Sequence, residues 1–213
     1  MDTQILDGGF KNHPIDAAHA FRAVMTSMAR PGQIATVTGA LPPAPLSIAA
    51  GVVLLTLCDP ETPIYLAASH DTTQLRNWIT FHTGAPIVTA AHAMFAVGTW
   101  ADMPVSEFSI GTSEYPDRSA TLIIETPVLS AKGYVLRGPG IKTTAEMSLP
   151  ETQAFQDNAS LFPLGLDFIF TCGDRLAALP RTTKISAPHG TTKISAPHGT
   201  TKISAPINAK EVS

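Results

Sequence analysis

Charge is what this sequence has least of. Asp, Glu, Lys and Arg make up 15% of its 213 residues, against roughly a quarter in an average soluble chain. A surface so short of charge tends to be partly covered by another chain, because exposed apolar area marks interfaces. Cysteine is nearly absent as well: there are two, Cys58 and Cys172, each ending an apolar run. So few thiols argue against a disulfide framework and fit small buried thiols in a reducing, cytoplasmic compartment. No apolar run is long enough for a bilayer; the longest, from Leu46 to Leu57, falls well short of a membrane span. The segment Met1-Asp2-Thr3-Gln4-Ile5-Leu6-Asp7 carries acids where a signal peptide needs bases. The expectation is a soluble protein with no membrane association.

What is present points to a packed domain. Apolar residues are 44% of the chain and the mean hydropathy is +0.15, enough to build a core and to exclude overall disorder. The 18 prolines exceed the usual share of about 5%, break the chain into short elements and argue against a long helical bundle. The charge is split: residues 1–180 hold 9 Lys and Arg against 16 Asp and Glu, and residues 181–213 hold 5 against 1. An acidic body is no match for a phosphate backbone, so no nucleic-acid partner is expected.

The spacing predicts a helix over Pro14–Arg30 with an apolar stripe of Ala18, Phe21, Met25 and Met28, widened by Ala17 and Val24 and ended by Arg30-Pro31-Gly32. A short strand follows at Gln33–Thr38. Pro45–Cys58 is apolar all round and reads as a buried helix. Further strands are expected at Ile64–Ala67, Ile87–Val88, Met94–Gly98, Ala120–Glu125, Tyr134–Arg137, Thr143–Met147, Leu166–Cys172 and Leu179–Ile185. Helices are expected after an Asp71 cap as far as His82, briefly at Met103–Phe108, and over Pro150–Leu161. Strands alternating with helices, then adjacent strands near 120–147 supplying antiparallel neighbours, predict a three-layer α/β/α domain with a mixed sheet, spanning residues 1–186.

The end of the chain repeats itself. Thr-Thr-Lys-Ile-Ser-Ala-Pro-His-Gly fills 182–190, recurs at 191–199, and recurs truncated at 200–206. The Gly-Gly and Asp of a calcium-binding β-helix are missing. The first copy reads as the last strand and residues 187–213 as a repetitive, disordered tail, whose His189 and His198 lack carboxylate or thiol companions for a metal.

Motifs of known chemistry are absent: no metal-ligand spacing, P-loop, nucleophile elbow or dinucleotide fingerprint. Gly138-Pro139-Gly140 is too short for a phosphate cradle and reads as a tight turn. Arg22, Arg30 and Arg118 allow two readings, a grip on a phosphate or phosphonate through the guanidinium fork or ion pairs with carboxylates such as Glu114 and Asp117. His82 also allows two, a general base or a cation complementing a helix C-terminus.

Taken together, several segments resemble one family. They are Phe21-Arg22-x-x-Met25-x-x-Met28-Ala29-Arg30-Pro31-Gly32, Phe81-His82-Thr83-Gly84, Gly111-Thr112-x-Glu114-Tyr115-Pro116-Asp117-Arg118-Ser119-Ala120-Thr121, Gly138-Pro139-Gly140-Ile141, Leu161-Phe162-Pro163-x-Gly165-x-Asp167 and Leu179-Pro180-Arg181-Thr182-Thr183. In this order they are similar to PhnH, a subunit of the bacterial carbon–phosphorus lyase system. The resemblance implies a role in phosphonate catabolism within a complex of PhnG-, PhnH-, PhnI- and PhnJ-type subunits. With ATP, that machinery joins a phosphonate to ribose C1 and displaces adenine, giving ribose 1-phosphonate 5-triphosphate. A separate radical S-adenosylmethionine subunit later cleaves the carbon–phosphorus bond. The resemblance also implies a homodimer whose fold is like the large domain of pyridoxal-phosphate transferases. Pyridoxal-phosphate chemistry needs a positioned lysine, and before the tail there are only Lys11, Lys132 and Lys142, in turns or at loop edges. The expectation is a subunit with no cofactor of its own, non-catalytic alone. The alternative is a composite-site subunit gripping an anion through Arg22, Arg30, His82 and Arg118.

Overall fold

Continuous apolar runs on several strands force two buried faces on one sheet, and the chain is layered around it. The computed structural model describes residues 7–188. In chain order the elements are α1 (His13–Ala29), β1 (Ala35–Thr36), α2 (Ile48–Leu57), β2 (Ile64–Leu66), α3 (Thr73–Thr83), β3 (Phe95–Thr99), β4 (Thr121–Glu125), β5 (Tyr134–Arg137), β6 (Ala145–Met147), α4 (Gln153–Ser160), β7 (Asp167–Cys172), β8 (Arg175–Leu179) and β9 (Lys184–Ser186).

Six strands form a mixed sheet in the order β1-β8-β7-β4-β3-β2. β2, β3, β4 and β7 are parallel neighbours, and β8 runs against both β7 and β1. Ile123 and Ile169 point to one face and Leu122, Ile124, Phe168 and Phe170 to the other, as the two-residue period of a strand dictates. The first face carries α1, α2 and α3. The second is covered by α4, by single 3-10 turns, and by a separate three-stranded sheet in the order β6-β5-β9. On that side Phe155 of α4 meets Phe168 edge-on at 5.0 Å between ring centroids, with Trp100 at 4.7 Å from Phe155.

An α/β fold with a mixed sheet is thus present, with corrections in its parts. The antiparallel member of the main sheet is the β7–β8 hairpin, not the strands near 120–147: β4 joins the parallel set, while β5 and β6 pair in the small sheet. The single strand expected over Leu179–Ile185 is two elements, because Pro180 has no N–H for a ladder; β8 ends before it and β9 begins after it beside β5. Ile87 makes one isolated bridge to Ile64. The cap of α3 is Thr72, whose hydroxyl accepts from the Leu75 N–H at 3.2 Å, and Asp71 instead pairs with Arg76. Helix α2 starts three residues later than expected, at a Ser47 cap that accepts from Ala50 N–H at 3.2 Å.

Helix α1 is rotated relative to its expected stripe. Ala20, Val24 and Ser27 are buried, whereas Ala18, Phe21 and Met25 face outward. The small side chains Ala17, Ala20, Ala23 and Ser27 let α1 lie close on α2 and β8, a close approach that larger groups would prevent. Cys58 is buried, Cys172 is half-buried, and both are free thiols; burial pushes the Cys58 thiol up to about 12. His189 at the end of the first repeat, and the second and third repeats with His198, lie outside the described residues.

Candidate functional site

The strongest polar assembly is built on Arg181, in the turn after β8. Its backbone N–H donates to Asp167 Oδ1 at 2.8 Å, and Nη1 donates to the Pro116 carbonyl at 2.7 Å. Nε and Nη2 donate to the same Asp167 carboxylate, and Nη2 also donates to Ser119 Oγ. The two charges are mostly shielded, with side-chain exposures of 13% and 17%. A guanidinium fork satisfied on so many sides is a rigid strut. It ties the 111–119 loop to the start of β7, and at 3.5 Å Nη1 also approaches the Pro163 carbonyl.

That strut fixes what the loops display. Arg118 lies over the Tyr115 ring at 4.0 Å, a cation–π contact. Tyr115 is 46% exposed and Phe162, beside Pro163, is 61% exposed. Glu114 and Asp117 are exposed on the same loop. Among the described residues no ion pair joins either carboxylate to Arg118; the arginine is held by the ring instead.

Arg22 and Arg30 are exposed on α1 and at its C-cap, and neither makes an ion pair with another described residue. The turn Gly138-Pro139-Gly140 packs against this helix end: Gly140 has φ +80°, and a Cβ there would collide with the Ala29 carbonyl. It is therefore a packing turn, as expected.

His82 ends α3, packed between Trp78 and Phe81 with ring centroids at 4.9 Å from each. Gly9 crosses over it so closely that a Cβ would lie 2.7 Å from the imidazole, and Trp78 Nε1 donates to the Asp7 carbonyl at 3.2 Å. His82 lines a cavity of about 380 Å³ with Lys11, His13 and Leu41, and none of the three candidate arginines lines it. Burial pushes the imidazole below its ordinary pKa, the Asp7 backbone opposes this, and the His13 charge adds to it. Its Nε2 is buried without a hydrogen-bond partner.

A third polar group sits at the carboxyl ends of the parallel strands, where open α/β sheets bind ligands. Ser69 Oγ lies 3.0 Å from His70 Nδ1 and accepts from the Thr99 N–H at 3.2 Å. His70 is 3% exposed and its Nε2 has no partner; burial lowers its pKa, partly offset by Asp102. Glu125, at the end of β4, accepts from the Ser47 N–H at 2.7 Å. Burial raises its pKa against the Ser47 and Thr171 hydrogen bonds. With Thr99, Trp100 and Val128 it lines a cavity of about 350 Å³. Sequence reading missed this group and the Arg181 strut. Ser69, His70 and Glu125 carry no motif spacing, and only the sheet order brings Thr99 and Glu125 together; Arg181 stood inside a recognised segment and was not singled out. Among the described residues no group of three or more His, Cys, Asp or Glu is placed to hold a metal, and no helix is long and apolar enough to cross a membrane.

The family model described as bacterial phosphonate metabolism protein (PhnH) matches residues 8–186. A curated Rhizobium meliloti (strain 1021) protein, alpha-D-ribose 1-methylphosphonate 5-triphosphate synthase subunit PhnH, is 40% identical over 195 residues, covering 86% of this chain and 96% of its own length. A Stutzerimonas stutzeri protein described as a candidate C-P lyase subunit, HtxG, is 27% identical over 178 residues, covering 78% of this chain and 84% of its own.

Proposed function

The chain belongs to the PhnH family of bacterial phosphonate metabolism proteins, and on that premise we propose that it is an assembly subunit of the phosphonate-processing synthase. It serves phosphonate catabolism by supporting ATP-dependent formation of ribose 1-phosphonate 5-triphosphate, with adenine displaced. Its own part is to dock other chains. The observation that carries this reading is the Arg181 strut, which ties Pro116, Ser119 and Asp167 of the family segments together and leaves Tyr115, Arg118 and Phe162 outward. Tyrosine, arginine and phenylalanine are the residues that interface cores favour. A second outward face is the Phe21 and Met25 stripe of α1. These faces suit a homodimer and contacts with PhnG-, PhnI- and PhnJ-type subunits in the cytoplasm. The fold likeness to pyridoxal-phosphate transferases belongs to the same reading without their chemistry: Lys11, Lys132 and Lys142 are all exposed.

The test is co-expression with the neighbouring subunits, followed by mass measurement of the purified complex. Tyr115→Ala combined with Phe162→Ala is expected to fold normally and to drop out of the complex. Retention of the double variant at full stoichiometry contradicts the assignment of this face.

One observation bears on the composite-site alternative: His82 shares its cavity with Lys11 and His13, beside Asp7 and apart from Arg22, Arg30 and Arg118. Under that reading His82→Ala assembles normally but abolishes adenine release by the complex. Normal release from the assembled variant removes it.

A further inference from the structure

We propose that the cavity at the carboxyl ends of β3 and β4 binds a small alkylated ammonium ion, held by the Glu125 carboxylate and the Trp100 ring. Thr99 stands opposite Glu125 in the β3–β4 ladder, so the parallel pairing delivers Glu125 and Trp100, the residue after Thr99, to the same end of the sheet. Both line a space of about 350 Å³, within the usual size range of ligand pockets. Pro127, Val128, Leu149 and Pro150 give it apolar walls. None of Tyr115, Arg118 and Phe162 lines it, so this site is independent of the docking face assigned above.

Charge decides what the cavity can take. Among the described residues that line it, Glu125 is the one with a charged side chain, and there is no Lys, Arg or His. Its hydroxyl groups are already donating: Thr99 Oγ1 to Asp102 at 2.9 Å, Thr126 Oγ1 to the Val128 carbonyl at 3.0 Å, and Ser148 Oγ to the same carbonyl at 3.4 Å. An anion would therefore meet a carboxylate and few free donors. A cation meets the opposite. Glu125 Oε1 accepts from the Ser47 N–H at 2.7 Å, and among the described residues no ion pair supplies the carboxylate with a countercharge. Burial raises its pKa, a cost to the charged form that a bound cation relieves. Trp100 adds the second element. Its Nε1 donates to Glu151 Oε1 at 2.8 Å and Phe155 packs on it with ring centroids 4.7 Å apart, so the indole is held in place with its polar atom occupied. What it offers a ligand is the π-face, the surface that attracts alkylated ammonium groups. Methyl groups on the cation match the proline, valine and leucine walls and spare the ligand the strong hydration of a bare ammonium.

The experiment titrates the full chain by calorimetry at about pH 8, above the ordinary carboxylate range, with three probes: choline, its neutral isostere 3,3-dimethylbutanol, and methylphosphonate. Choline is expected to bind at one site per chain, the neutral isostere about tenfold more weakly or worse, and methylphosphonate not at all. Glu125→Gln keeps the shape of the side chain and an acceptor for Ser47, and is expected to weaken choline by about tenfold. Val128 is 62% exposed, so Val128→Lys folds normally; it sets a competing ammonium at the wall and is expected to weaken choline as well. The comparison of the two isosteric probes needs no variant, and Val128→Lys locates the site even if Glu125→Gln does not fold. Absence of choline binding, equal affinity for choline and its neutral isostere, binding of methylphosphonate in place of choline, or choline affinity unchanged in the folded Glu125→Gln protein overturns the proposal.

Discussion

Arg181 shows how a single side chain decides what a surface can do. It is satisfied by Asp167, Pro116 and Ser119 together, so its removal leaves a shielded carboxylate unpaired and releases the 111–119 loop. Breaking a buried pair from one side costs about 3 kcal/mol or more. Arg181→Ala is therefore expected to lower Tm by on the order of 10 °C in thermal unfolding, and Arg181→Lys to recover little, because an ammonium lacks the planar fork. A buried group and a half-buried one near the strand ends make stability depend on pH in opposite senses. His70 has a pKa lowered from 6.5 by burial, so its contribution is full above 6.5 and declines as pH falls through that value toward the folded pKa. Glu125 has a pKa raised from 4.5 by burial, so its contribution is full below 4.5 and declines as pH rises through the folded value. Denaturant unfolding across pH checks both: His70→Asn is expected to flatten the acid-side decline, and Glu125→Gln to raise stability at pH 7 relative to the parent protein.

At the scale of elements, α1 separates packing from docking. Its buried face is made of small residues, and its large apolar residues Phe21 and Met25 are each 50% exposed. Phe21→Asp with Met25→Asp is expected to change folding stability by no more than about 0.5 kcal/mol per site, while reducing chain–chain association measured by sedimentation. Why that helix could be placed from sequence but not oriented follows from the same residues. Pro14 and Arg30-Pro31-Gly32 fix its ends locally, whereas the period of 3.6 fits either Ala18-Phe21-Met25 or Ala17-Ala20-Val24 as the inward row. Only a neighbour able to approach small side chains decides between them. The strands β4 and β7 were legible as buried strands because Leu122-Ile123-Ile124 and Phe168-Ile169-Phe170 are apolar on both faces, but the parallel pairing of β4 was not, since its neighbours are set by the sheet order. The β7–β8 hairpin was not, since Ala177 and Ala178 give little strand signal. The Ser69, His70, Thr99 and Glu125 group was invisible for another reason: residues that follow β2 and that end β3 and β4 become neighbours only through the order β4-β3-β2.

At the scale of the whole molecule, the sheet buries one face under three helices and the other under α4 and a second sheet, and parts of the family segments hold those layers and their connecting loops together. Arg30-Pro31-Gly32 meets Gly138-Pro139-Gly140, and the 111–119 loop meets Asp167 and Arg181. What remains at the surface is short of charge and rich in exposed aromatic and thioether groups, a composition suited to contact with other chains more than to bond-making. Adenine release from ATP and methylphosphonate, measured for this chain alone and again after reconstitution with its neighbouring subunits, tests that directly. No release by the isolated, folded chain and release by the reconstituted complex is the expected result; turnover by the isolated chain would contradict it.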